Sequence, residues 1–140
     1  MRQRVLVDTG PMVAIASSRD SHHEICMEEL RSIKTPLLTC WPVVTEAAWL
    51  LRHQPLGLRR LFKSLEDELF RVADLDAACF PWIAEFVGRY QKLGAQLADA
   101  ALVYLAEREG IDVIFTLDRR DFSVYRFRRD RSFVIVPREQ

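Results

Sequence analysis

The chain has 140 residues, 49% of them hydrophobic and 29% charged, and its twenty basic and twenty acidic side chains sum to zero. That length suits one domain, 1–140, able to bury roughly 68–70% of its unfolded surface. The neutral sum excludes a global field that would gather nucleic acid or a membrane surface. Charge is segregated instead: Arg119 to Arg138 holds seven arginines against Asp121 and Asp130, and Glu66 to Asp76 is acidic apart from Arg71. A basic segment of that kind can track phosphates, and a solvated arginine surface is the equal alternative.

Val5–Val7 is a short apolar, β-branched run and reads as a buried strand. Gly10-Pro11 follows, with Pro11 at a natural first helical position for Met12–Ser17. Arg2, Arg4 and the later A-I-A-S resemble a secretory leader, but Asp8 and Gly10-Pro11 break the apolar run too early. Apolar residues Ile25, Cys26, Leu30 and Ile33 give His22–Ile33 one helical face. Pro36 opens a strand at Leu37–Thr39, and Pro42 starts a helix over Val43–His53 that stops before Pro55. Leu58–Leu69 repeats the helical pattern, and Phe70–Ala73 reads as a third strand. Asp76 is placed to cap a long helix through Leu93, closed by Gly94. Gln96–Glu109 is a helix whose inner stripe is Leu97, Ala98, Ala101, Leu102, Leu105 and Ala106, stopped by Gly110. Val113–Thr116 and Phe133–Val136 complete the strands.

Helices alternating with continuously apolar strands predict an α/β fold, a three-layer α/β/α sandwich on a mainly parallel sheet. No apolar run reaches the length of a membrane span, so the expected location is cytoplasmic. Cys26, Cys40 and Cys79 are odd in number and lack ligand spacing, which suits burial in a reducing compartment.

The stretch L-V-D-T-G raises a choice, because Asp-Thr-Gly also carries the catalytic carboxylate of aspartic proteases. Such proteases need the motif on a loop of an all-β fold, in two copies; here it occurs once and runs into a helix. A different role follows from the layout. Asp8 ends the first strand, Glu46 lies early in the helix after the second, Asp99 sits early in the helix before the fourth, and Asp118 closes the fourth. In a parallel sheet these places share the carboxyl edge, where ligands bind. Carboxylates gathered there repel one another unless protonated or neutralised by a cation. A hard divalent ion, Mg²⁺ or Mn²⁺, prefers such oxygen ligands and suits displacement at phosphorus. Two helix N-termini at the same edge would attract the phosphate. Each acid also has a plain alternative: Asp8 as a helix cap, Glu46 and Asp99 as first-turn acids, Asp118 as a turn former. Asp99 fits its alternative least, because Leu97–Leu105 around it is apolar and a lone carboxylate there is costly.

V-L-V-D-T at Val5–Thr9, T-E at Thr45-Glu46, L-A-D-A at Leu97–Ala100 and F-T-L-D-R-R-D-F at Phe115–Phe122, in that order and spacing, resemble the PIN domain family. Within it the chain resembles the single-domain VapC-type toxin ribonucleases. The resemblance implies Mg²⁺- or Mn²⁺-dependent cleavage of single-stranded RNA, with Asp8 and Asp99 as principal metal ligands. It implies that Glu46 and Asp118 complete the acidic pocket, with Thr9 and Thr116 in support and Asp121 mainly structural. It further implies a small antitoxin partner and a homodimer. Gly10 departs from the pattern, where a hydroxyl is common, and so does the basic run around Asp118.

Two rival readings remain open from the sequence. One is a non-catalytic RNA- or protein-binding module that uses the Arg-rich 119–131 segment, with Arg119 and Arg120 as RNA contacts. The other is a phosphatase forming an aspartyl-phosphate on Asp8, which usually wants a second acid where Gly10 stands. His22 and His23 read as a surface pair before a helix. Trp41, Trp49 and Trp82 offer base stacking, but Trp49 beside Leu50 is read as core or dimer packing. The apolar face of Val43–His53 or Leu58–Leu69 would suit an antitoxin or a second subunit.

Overall fold

The first apolar run lies at the centre of a sheet. The computed structural model describes residues 4–139, and its β1 (Leu6–Val7) sits between β2 (Leu37–Thr39) and β4 (Val113–Phe115). At the edges lie β3 (Phe70–Val72) beyond β2 and β5 (Val134–Val136) beyond β4. Every pairing is parallel: Leu6 stands opposite Leu38 and Ile114, and Phe115 opposite Val136. Leu6, Val7, Leu37, Leu38 and Val113–Phe115 are all buried. Covered on both faces, these strands show unbroken apolar runs rather than alternation.

The helices among the described residues are α1 (Thr9–Ala16), α2 (His23–Arg31), α3 (Trp41–Leu50), α4 (Pro55–Glu66), α5 (Cys79–Arg89), α6 (Leu97–Glu109) and the short α7 (Arg119–Phe122). From β1 the chain steps outward to β2 and β3, then returns to β4 on the other side of β1. Right-handed crossovers place the outward helices on one face of such a sheet and the returning ones on the other. The packing shows α1 against α2, α3 and α4, and α5 against α6, with α3 also meeting α6. This is the sandwich the patterning predicts, and its switch point lies between β1 and β4, where ligands bind in open α/β sheets.

Several element boundaries differ from expectation, mostly for one reason. Proline lacks an N–H and is tolerated throughout the first helical turn, not only at its first position. So α1 begins at Thr9 with Pro11 third, α3 at Trp41 with Pro42 second, and α4 at Pro55 itself. The long helix expected from Asp76 is shorter: α5 starts at Cys79, again with Pro81 third, and ends at Arg89 before a 3-10 turn at Gln91–Leu93. The cap residue of α5 is Ala78 and not Asp76, whose carboxylate accepts from the Tyr104 hydroxyl and pairs with Arg108. Gly94, at φ 74°, makes the left-handed turn that leads into α6. Along α6, Ala98, Ala101, Leu102, Leu105 and Ala106 are buried as expected, and so are Ala100, Val103 and Tyr104. Leu97 is the exception, 59% exposed at the helix start. Arg2, part of the leader-like stretch, lies outside the described residues. Among the described residues no helix is long and apolar enough to cross a membrane. All three cysteines are free and buried, and burial pushes the Cys26 and Cys40 thiols up to about 12, which leaves them unreactive.

Candidate active site

Asp8 leaves β1 while its backbone N–H still bonds the Phe115 carbonyl of β4, at 2.9 Å. This fixes its carboxylate across the switch point. The side chain is only 7% exposed, and it forms no helix cap; its Oδ2 accepts from the Thr116 hydroxyl at 2.7 Å. The same Thr116 oxygen accepts from the Asp118 backbone N–H at 3.0 Å. One buried hydroxyl thus ties the end of β1 to the loop after β4. Asp118 caps α7 through its Oδ1, which accepts from the Asp121 N–H at 3.0 Å. On the other wall, the Thr9 hydroxyl donates to Glu46 Oε1 at 2.6 Å, which joins α1 to α3. Asp99, in the first turn of α6, accepts from the Tyr125 hydroxyl at 2.8 Å through Oδ2.

The four acids expected to converge do so. Asp8, Glu46, Asp99 and Asp118 line one cleft of about 390 Å³, together with Thr9, Gly10, Gln96 and Asp121. Asp121, read as mainly structural, belongs with them: one oxygen each from Asp99, Asp118 and Asp121 lies within 4.8 Å of the others. At Gly10, where the resemblance implies a hydroxyl, a Cβ would meet the Leu117 side chain at 3.3 Å, a tight contact that a small shift of Leu117 would relieve.

No basic side chain lines the cleft among the described residues, so charge accumulates. Burial, reinforced by Asp99 and Glu46 against the Thr116 hydrogen bond, raises the Asp8 pKa to about 7. Burial, with Asp118 and Glu46 beside it, raises Asp99 to about 6 despite the Tyr125 hydrogen bond. Burial and then Asp118 raise Asp121 as well. Asp121 Oδ1 is buried and accepts no hydrogen bond. Arg120 Nε lies 3.2 Å from it, but off the direction a hydrogen bond needs, on a largely solvated side chain. An all-oxygen set that resists ionisation, with a buried carboxylate oxygen that accepts no hydrogen bond, fits a hard divalent cation.

The arginine-rich segment has another use. Arg119 Nη1 donates to the Pro137 carbonyl at 2.7 Å, and Arg126 Nη1 to the carbonyls of Ser123, Val124 and Tyr125. Arg128 bonds the Glu107 carbonyl, and Arg131 pairs with Asp112. Of the two proposed RNA contacts, Arg119 is tied down, and Arg120, largely solvated, pairs with Asp121. His22 is exposed as expected, whereas His23 Nδ1 lies 2.6 Å from the Ala14 carbonyl and anchors α2 to α1. Trp82 stacks on Phe86 and bonds Glu107. Trp49 is not core: it is 61% exposed, and Trp41 58%. Tyr125, wholly buried among Phe86, Tyr90 and Phe122, was missed by sequence reasoning. The one signal was the apolar setting of Asp99, which demanded a partner without naming it.

A parallel sandwich with carboxylates gathered at its switch point defines the class. The chain belongs to the PIN domain family, whose model matches residues 5–128. It is 29% identical over 136 residues to Ribonuclease VapC26 of Mycobacterium tuberculosis, a match that spans 95% of this chain and all of that one. Its fold is similar to the crystal structure of M. tuberculosis VapC20, described as a Sarcin-Ricin loop cleaving toxin, at TM-score 0.72 and 20% identity over 83% of this chain and 91% of that one. VapBC2 of Rickettsia felis, crystallised with a DNA fragment from its promoter, matches at TM-score 0.62 and 14% identity over 95% and 97%. At those identities the two structures speak to the fold alone. Strand β5 lies beyond the matched residues yet pairs in register with β4.

Proposed function

We propose that this protein is a Mg²⁺- or Mn²⁺-dependent endoribonuclease that cuts single-stranded RNA as the toxin of a toxin–antitoxin pair. The observation that carries this reading is the cleft itself: five carboxylates, two of them pushed to about 7 and about 6, and no basic side chain among the described lining residues. Asp8 and Asp99 are the proposed principal metal ligands, with Glu46, Asp118 and Asp121 around them. When bound, the cation would supply charge neutralisation at the phosphate and a more acidic water.

The chain's own groups do the rest. The Thr116 hydroxyl orients Asp8, and the Tyr125 hydroxyl orients Asp99. Thr9 occupies one Glu46 oxygen and leaves Oε2 to take a proton from the attacking water. The N-termini of α1 and α6 open on the same edge, where backbone N–H groups favour a phosphate. The substrate class is supported by VapC26, which is called a ribonuclease. A neighbouring-gene antitoxin and a second copy of the chain are the proposed partners, and the cytoplasm the proposed location.

The test is incubation of labelled single-stranded RNA with the protein and Mn²⁺. Cleavage should vanish with EDTA and with Asp99→Asn; cleavage that survives both rejects the mechanism. The alternative, a non-catalytic module working through residues 119–131, loses support because four of that segment's arginines are held internally.

A further inference from the structure

A second cleft adjoins the acid site. Trp41, Pro42, Thr45 and Trp49, from one face of α3, meet Leu97 and Ala98 at the start of α6 in a groove of about 500 Å³. Its lining is chiefly apolar, and it shares Glu46 and Gln96 with the acid cleft. Positions 41, 45 and 49 recur at four-residue spacing and so stack along one side of the helix. Trp41, Trp49 and Leu97 are each more than half exposed. Sequence patterning placed Leu97 on the inner stripe and read Trp49 as core or dimer packing; leaving both in water costs solvation that a ligand would recover.

Trp49 is also held in place. The Arg52 guanidinium carbon lies 3.7 Å from the indole centroid, and its Nη1 donates to the Trp49 carbonyl at 2.8 Å. Arg52 is not part of the groove lining, so it backs the indole from outside. The ring is thereby presented as a rigid plane, which lowers the ordering cost of stacking something on it.

We propose that this groove is a nucleobase platform, in which a base next to the phosphate held in the acid cleft stacks on Trp49 and Trp41. The proposal rests on the RNA-cleavage reading and adds to it where the strand runs. A strand with a phosphate in the acid cleft is already at the mouth of the groove, because Glu46 and Gln96 belong to both. Bases splayed from a single strand bind aromatic planes with little dependence on sequence. A protein segment or a second copy would also find the apolar surface attractive, and the test separates those occupants.

Binding of a short mixed-sequence single-stranded RNA is measured on the Asp99→Asn background, so that the strand is not consumed. Trp49→Ala should weaken binding about tenfold, and Trp49→Phe should restore most of it. Against an abasic strand of the same length, whose phosphates are intact, Trp49→Ala and its parent should bind alike. Equal affinity of Trp49→Ala and its parent for normal RNA overturns the platform. So does an equal loss on the abasic strand, or a fall in solution mass on mutating Trp49, which would mean that a second copy covers the groove. Circular dichroism confirms folding, which truncation of an exposed side chain should leave intact. Failure of the unmutated protein to cleave RNA would count against the nuclease reading; the binding comparison stands apart from it.

Discussion

Raising the pH should destabilise the metal-free protein in a range where most proteins are indifferent. The cause is Asp8, buried at the switch point with Asp99 and Glu46 nearby and with a pKa raised from 3.8 to about 7. Between those values the folded state holds a proton that the unfolded state has released. Stability therefore falls as pH rises through that window, the reverse of the usual carboxylate behaviour. At about 1.4 kcal/mol per pH unit, the whole window carries roughly 4 kcal/mol and the part above pH 5 roughly 3 kcal/mol, a large part of the 5–15 kcal/mol typical of a domain. Asp99, raised to about 6, acts in the same direction but is less buried and adds less. Asp76 and Glu109, whose pKa values are lowered by Tyr104 and Arg108 respectively, act below their ordinary values of 3.8 and 4.5 and leave the range above pH 5 flat. The assay is thermal unfolding in EDTA at steps from pH 5 to pH 8, with a drop on the order of 10 °C expected. Asp8→Asn should remove most of the slope and leave the smaller part due to Asp99, while its amide oxygen still accepts from Thr116. Saturating Mn²⁺ should flatten or invert the curve, since the ion favours the charged form. A flat or rising curve in EDTA, or a slope undiminished in Asp8→Asn, refutes the reasoning.

Tyr125→Phe keeps the ring among Phe86, Tyr90 and Phe122 but removes the donor to Asp99. Mn²⁺ affinity, read by electron paramagnetic resonance, should fall about 10- to 100-fold with a stability loss of about 1–3 kcal/mol. Asp121→Asn replaces a carboxylate whose buried Oδ1 accepts no hydrogen bond and is paired with the largely solvated Arg120. Denaturation in EDTA should show a gain of about 1 kcal/mol, together with weaker Mn²⁺ binding. Arg126→Ala frees three carbonyls of the 123–125 turn and should cost about 2 kcal/mol in a denaturant titration. The salt dependence of RNA binding should stay unchanged, whereas a phosphate contact would lower its slope by about one.

The sheet was legible because its strands are buried on both faces and so carry unbroken apolar runs: Val5–Val7, Leu37–Thr39 and Val113–Thr116 each contain the observed strand. The convergence of Asp8, Glu46, Asp99 and Asp118 followed from strand ends and helix starts sharing an edge, which topology alone dictates. Helix starts were less legible, because proline signals a first turn without saying which of its positions it occupies. Surface placement was least legible. Leu97 and Trp49 carry apolar side chains at helical spacing, and only the packing shows that their faces turn toward a groove. The arginines of 119–131 read as a phosphate surface by composition, but carbonyl partners such as Pro137 and Glu107 leave no trace in local sequence. The bond from Tyr125 to Asp99 spans 26 positions, and nothing in either neighbourhood announces it.

The central claim is a cation held between the end of β1 and the start of α6. Anomalous diffraction from crystals soaked in Mn²⁺ tests it most directly. The account predicts a peak in the acid cleft with oxygens of Asp8 and Asp99 at about 2.1 Å. A saturating soak that leaves the cleft without a peak, or places the ion elsewhere, contradicts it.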